Sequence, residues 1–236
     1  DAGNASAGIY VQSDGNTIGG NTPVDRNVIS GNDGYGIYFG WTANNIVVGN
    51  HIGVDVTGNA PLGNTFNGVF VSGTGHAIGG TAAAARNEYG DHGDVAVRIE
   101  PGSGHRVVGN SIGVGADGST VHGNAIGVSV RFGATDVVIG GTAPGEGNTI
   151  RNNAKGVLIH DAATDDVAVI GNAISANGGL GIDFEDDGVT ANDAGGRTGL
   201  SGSLRMGGVA EVANDESVAL RVRFFGAVPE AQDMYF

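Results

Sequence analysis

The residues best placed to do chemistry are Arg98, Glu100, Arg131, His160, Asp183 and Glu185, which recur at two fixed offsets within successive segments of about thirty residues. Abstracting a proton beside a uronate carboxylate requires a positive group to neutralise that carboxylate and a base within hydrogen-bond reach. Arg with His, or Arg with a second Arg, fills those roles. Glycoside hydrolysis requires instead two carboxylates about 5 to 9 Å apart. Glu100 and Glu185 would stand about 14 Å apart, which is too far; Asp183 and Glu185, two apart on one strand, would stand about 7 Å apart and admit an inverting hydrolysis. Ahead of the charges in the same series come Tyr10, Tyr38 and Phe70, a platform on which sugar rings could stack. The competing reading is a ladder of Arg98, Glu100 and Arg131 that only solvates a sheet face, with aromatics that cover backbone or a loop.

These residues are positioned by a repeat. GIYV from Gly8, GVFV from Gly68 and GVSV from Gly127 form one series about sixty residues apart, interleaved with GIYF from Gly36, AVRI from Ala96 and GVLI from Gly156, and closed by GIDF from Gly181. After each comes a second apolar run, such as NTIGG at Asn16, HAIGG at His76 and DVVIGG at Asp136. A third opens at Asn27, Asn50, Asn87, Asn110, Asn148 and Asn172. Runs this short, β-branched and bounded by Gly and Asn are strands. Three of them per unit that cannot bury a core alone predict an all-β parallel β-helix of about seven rungs over residues 1–188, climbing about 4.8 Å per turn.

Alternation then sorts the side chains. Ile9 and Val11, Ile37 and Phe39, Val69 and Val71, Val97 and Ile99, Val128 and Val130, Val157 and Ile159, and Ile182 and Phe184 are expected to point inward as one apolar column. Outward lie Tyr10, Tyr38, Phe70, Arg98, Ser129, Leu158 and Asp183, and beside them Gln12, Gly40, Ser72, Glu100, Arg131, His160 and Glu185. The third-strand asparagines are expected to stack as an amide ladder, with a lapse where the third unit reads NEYGDHGD. His76 and His105 read as corner substitutes. His92, between carboxylates, reads as an exposed turn more readily than as a metal ligand.

Two kinds of loop alternate. Odd units insert NTPVDR, TAAAAR or TAPGEG before the third strand, and even units bulge after it, from Val54 and from Val114. Asp55 and Asp117 occupy matching places in the even loops. A calcium clip is conceivable there, but the dense carboxylate spacing of a calcium loop is missing, so turn-stabilising roles are favoured. The acidic run from Asp183 to Asp187 could also hold a cation; no metal ligand set is assigned.

The alternation of NxIGGT, NxISGN, VVGNxIGxDxxG and LGN resembles the bacterial right-handed parallel β-helix repeat proteins, related in architecture to pectate lyases and alginate epimerases. The resemblance covers residues 1 to about 190. It implies a right-handed, single-stranded coil and a secreted or cell-surface setting, with a polysaccharide or cell-surface glycan as partner and lyase, epimerase or hydrolase chemistry if any. A non-catalytic structural or adhesive stalk is the alternative.

Composition narrows the partners. Lys and Arg number 11 against 25 Asp and Glu, for a net charge of −14, and Lys155 is the only lysine, so a nucleic-acid backbone would be repelled. Membrane insertion is not expected, because no apolar run approaches the length of a spanning helix. The absence of cysteine excludes disulfides and thiolate ligands. The chain opens on Asp1 with no visible signal peptide, and reads as a mature product or an excised fragment. Residues 189–201 read as a Gly-rich linker, and 202–236, with Val218, Leu220, Val222 and Phe224 on one strand face, as a β cap or the start of a truncated β-sandwich.

Overall fold

The computed structural model describes residues 3–161, 163–184 and 186, with short backbone strands at 205–207, 209–210 and 220–221. The chain is an all-β parallel solenoid of about six turns. Its first face pairs Ile9–Val11, Ile37–Phe39, Val69–Thr74, Val95–Val108, Ile126–Val130, Lys155–Ile159 and Ile182–Phe184 in that order, every neighbour parallel. The third face stacks six strands, from Val28–Ile29 to Ala173–Ser175. The count agrees roughly with the expected seven rungs: a seventh first strand, Ile182–Phe184, opens a further coil to which, among the described residues, the second-face strand Arg205–Gly207 is added, parallel to Asp165–Ile170. The linker and the face of Val218, Val222 and Phe224 lie outside the described residues.

Register is what makes the repeat a structure. Ile9 pairs with Ile37 and Ile37 with Val69, and the chain of partners continues through Val97, Val128 and Val157 to Ile182. The inward set forms the core as alternation requires: Ile37, Val69, Val97, Val128 and Val157 are fully buried, and Ile9, Ile182 and Phe184 pack partly buried at the two ends. Where the second strand ends, Gly79 adopts φ 96° and a Cβ there would lie 2.0 Å from the Val108 carbonyl, so the corner accepts only glycine.

Three polar ladders run beside this core. In the anticipated one, Asn27 Nδ2 donates to Asn50 Oδ1 at 2.9 Å, and the pattern repeats through Asn87, Asn110 and Asn148 to Asn172. No lapse occurs at Asn87, which accepts from Asn50 and donates to Asn110, because the departure from the repeat falls beyond this residue. A second ladder precedes the first strands, through Asn4, Asn32, Asn64, His92, Asn124, Asn153 and Asn177. His92 therefore is no exposed turn: it is 3 % exposed, and its Nδ1 accepts from the Asn64 amide where an Asn oxygen would. The third ladder passes from Asn16 and Asn45 to His76 and His105, each imidazole taking a backbone N–H on Nδ1.

The loops add a clamp. Loops 54–61 and 114–121 belong to alternate turns, yet they touch across the turn between them: Ala116 N donates to Gly58 O and Asp117 N to Asn59 Oδ1, both at 3.0 Å. Each loop is tied internally by its aspartate. Asp55 Oδ1 accepts from Thr57, Asn59 and Ala60, and Asp117 from Ser119 and Thr120. These bonds, led by the Thr57 hydroxyl, hold the Asp55 carboxyl down at about 2, and the Thr120 hydroxyl leads in lowering Asp117. Beside the clamp lie two pairs, His51 Nε2 with Glu88 at 3.1 Å and His122 Nδ1 with Asp91 at 2.6 Å.

Two outcomes test this account. Asn110→Ala strands the Ile78 and Val108 carbonyls and two amide neighbours in the interior, and should lower unfolding free energy by about 2–5 kcal/mol, whereas Asn27→Ala, exposed on the first turn, should cost about 1 kcal/mol or less in chemical denaturation. Burial lowers the imidazoles of His76, His92 (to about 3) and His105 (to about 4) below their usual 6.5. As pH falls through the window from about 6.5 to about 4, the unfolded chain takes up protons that the folded chain refuses, so stability falls with pH there. Melting temperature measured across that window should drop, and the slope should be shallower in His105→Asn, which installs the residue used at equivalent rungs.

Candidate functional site

The first-strand flank carries most of the candidate residues, and pairing places them in true columns: Tyr10 beside Tyr38, Tyr38 beside Phe70, Phe70 beside Arg98, then Ser129, Leu158 and Asp183. A spacing near 4.8 Å is the stacking distance of flat rings. Tyr10 and Tyr38 accordingly stack at 4.9 Å and Tyr38 and Phe70 at 4.7 Å, within 10° of parallel. Tyr35 sets its edge against Tyr38 and Phe70, and Phe66 joins at 5.7 Å. Both faces of Tyr38 are thus taken by neighbours, and Tyr10, 56 % exposed, ends the stack. Burial first, then Tyr10, Tyr35 and Glu100, push the Tyr38 phenol up.

The stack runs into the charges. The Arg98 guanidinium carbon lies 5.9 Å from the Phe70 ring centre. Arg98 Nε donates to Glu100 Oε1 at 2.7 Å and its Nη1 to Asp94 Oδ2 at 3.1 Å; Arg131 Nε reaches the same Glu100 oxygen at 3.4 Å. Arg98, Glu100 and Arg131 are therefore brought together, and Asp94, one of the two carboxylates that flank His92 in the sequence, completes two cations with two carboxylates. In that arrangement Glu100 is an acceptor already engaged by two guanidinium groups, and neither arginine is a spare positive charge.

The later candidates are not gathered with them. His160 follows Arg131 one rung on, its backbone N–H bonded to Val130 O, and among the described residues its ring has no hydrogen bond or ion pair. The outward column does not face solvent throughout: Ser129, Leu158 and Asp183 are buried. Asp183 is held by Lys155 Nζ at 3.0 Å, and Asp186 contacts the same ammonium; both carboxylates raise the lysine's affinity for its proton, Asp186 more strongly. The Asp183 carboxylate is thus already committed to the Lys155 ammonium and is not presented to a substrate. Glu185, its expected partner, lies outside the described residues.

Around the even loops the carboxylates are spent on turns. Among the described residues no group of three or more His, Asp or Glu side chains is arranged to hold a metal ion, and no hydrogen bond or ion pair ties the loops to Arg98 or Arg131. No described helix is long and apolar enough to cross a membrane. Two exposed aromatics that sequence reasoning passed over, Trp41 and Phe132, stand at the corner where the first strand ends. Their signal was a bulky residue two places past the inward Phe39 and Val130, where the chain must turn.

Comparison with protein-family models, with curated proteins and with solved structures finds no match for this chain, so its functional reading rests on the geometry above.

Proposed function

We propose that this chain is a secreted or cell-surface β-helical module that binds an extended polysaccharide along its first-strand flank without turning it over. The observation that carries the reading is the cluster of Tyr10, Tyr35, Tyr38, Phe66 and Phe70 on the outside of the coil. The core is closed inside the turns and needs none of these rings. Apolar surface gathered outside a complete core marks a contact for a ligand or partner. At its margins the exposed rings of Tyr10 and Phe66 leave apolar surface for a polymer laid along the flank. Resemblance of the repeat to pectate-lyase-like solenoids supports the substrate class and the extracellular setting.

Binding is favoured over lyase, epimerase or hydrolase chemistry by the pairing of the candidate acids and bases. Arg98, Glu100 and Arg131 satisfy one another, and Asp183 is neutralised by Lys155. The second reading, a structural or adhesive stalk, is favoured by the three polar ladders and the loop clamp, which stiffen the rod whatever its flank does.

A glycan array probed with the wild type and with Tyr10→Ala/Phe66→Ala separates the readings. The expected result is a defined set of bound polysaccharides and a loss of affinity of about tenfold or more in the double variant, with no products released. Unsaturated or reducing ends appearing from uronate polymers with the wild type but not with Arg131→Ala would make the protein an enzyme. No binding to any glycan would leave the stalk.

A further inference from the structure

Trp41 and Phe132 occupy a backbone position that their residue types avoid. Each lies two residues past the last inward side chain of its first strand, with φ 52° and 57°, in the left-handed region. The equivalent corner one rung after Phe132 holds Asp161 at φ 71°, a residue whose short polar side chain tolerates this conformation and here bonds the local backbone. A bulky aromatic at such a φ is strained unless its packing compensates. Neither ring packs inward: Trp41 is 71 % exposed and Phe132 is 53 % exposed. Strain that packing does not recover points to a use for what the side chain presents.

The two rings share one edge of the rod. Trp41 follows Ile37–Phe39 and Phe132 follows Ile126–Val130, three strand spacings apart, or about 14 Å. Between them the corner is bare: Ser72 to Gly75 and Pro101 to Gly104 supply no bulky side chain. Arg131 lies over one face of Phe132 at 4.7 Å, steadying that ring. Unlike Tyr38, these rings are not sandwiched by the rungs above and below, so broad ring surface is left for a ligand.

Charge selects the ligand class. The nearest cations, Arg98 and Arg131, are matched by Asp94 and Glu100, and the chain as a whole carries −14. Nothing here draws in a polyanion, and a uronate polymer would be repelled. A neutral pyranose chain has apolar C–H faces for the two rings and hydroxyls for the exposed Thr74 side chain between them.

We infer that Trp41 and Phe132 are the two aromatic clamps of a binding edge for a neutral, extended glycan, laid along the corner between the first and second faces. The inference rests on the glycan-binding reading above and extends its contact from the stacked flank to the corner.

Trp41 is the only tryptophan in the chain, so its emission reports this site directly. Titration with neutral cello-, manno- and xylo-oligosaccharides should shift that emission to the blue and shield it from acrylamide. Phe132→Ala, which leaves the fluorophore in place, should weaken binding by about tenfold, while Val24→Ser on a distant loop should leave it unchanged. Trp41→Gly and Phe132→Gly should melt no lower than the wild type, since glycine relieves the left-handed strain, yet both should lose binding on the glycan array. Glycans retained through Tyr10 and Phe66, with Trp41 still fully quenchable and the glycine variants binding as wild type, would overturn the corner site and leave the flank reading standing. Tighter, salt-sensitive binding of polygalacturonate or alginate oligomers would overturn the neutral class. Failure of every glycan to bind would overturn both readings.

Discussion

The constraint on which the rest depends is that the chain climbs by one strand spacing per turn, so every side chain on a strand lies between its counterparts above and below. Inside the coil this stacks Ile37 on Val69 on Val97 and excludes water along the whole axis. At the corners the same spacing lets one asparagine amide feed the next, satisfying polar groups that are buried as tightly as the core. Replacement of Asn by His keeps the ladder because Nδ1 accepts the same backbone N–H. Burial then makes those imidazoles reluctant to take a proton.

The same spacing governs what the outer surface can do. Flat side chains placed every 4.8 Å find each other before they find a ligand, as Tyr10, Tyr38 and Phe70 do, and opposite charges placed so neutralise each other, as Arg98, Glu100 and Arg131 do. Strand positions are thus structurally occupied even when they point outward. Positions that escape are those where the chain leaves the strand direction, which is why Trp41 and Phe132 remain open. The loops show the other way out: by reaching across an intervening turn, loops 54–61 and 114–121 make the two-turn unit, about sixty residues long, a physical unit as well as a repeat.

Much of this was legible in the chain itself. Periodicity identified the parallel solenoid, the inward column from Ile9 to Phe184 and the third-strand asparagine ladder, because one repeat unit maps to one turn and alternation leaves a single choice of face. The ladder through Asn32, Asn64, Asn124 and Asn153 had a signal too, an Asn three or four residues before the repeat glycines Gly36, Gly68, Gly127 and Gly156, but its varying offset hid it in the loops. His92 looked solvent-exposed because its neighbours are charged, and its burial depends on an amide from a different turn.

Sequence alone determined the fold class, the register and which residues share a column, since all three follow from the period of the pattern. Only the tertiary structure decided what those columns leave available. Whether Tyr38 shows a face or an edge, whether Arg98 is a free cation or half of a pair, and whether two loops sixty residues apart meet depend on distances between turns and on side-chain direction. A one-dimensional pattern places neighbours in a column, but the contest between neighbour and solvent for each ring face and each charge is settled only in three dimensions.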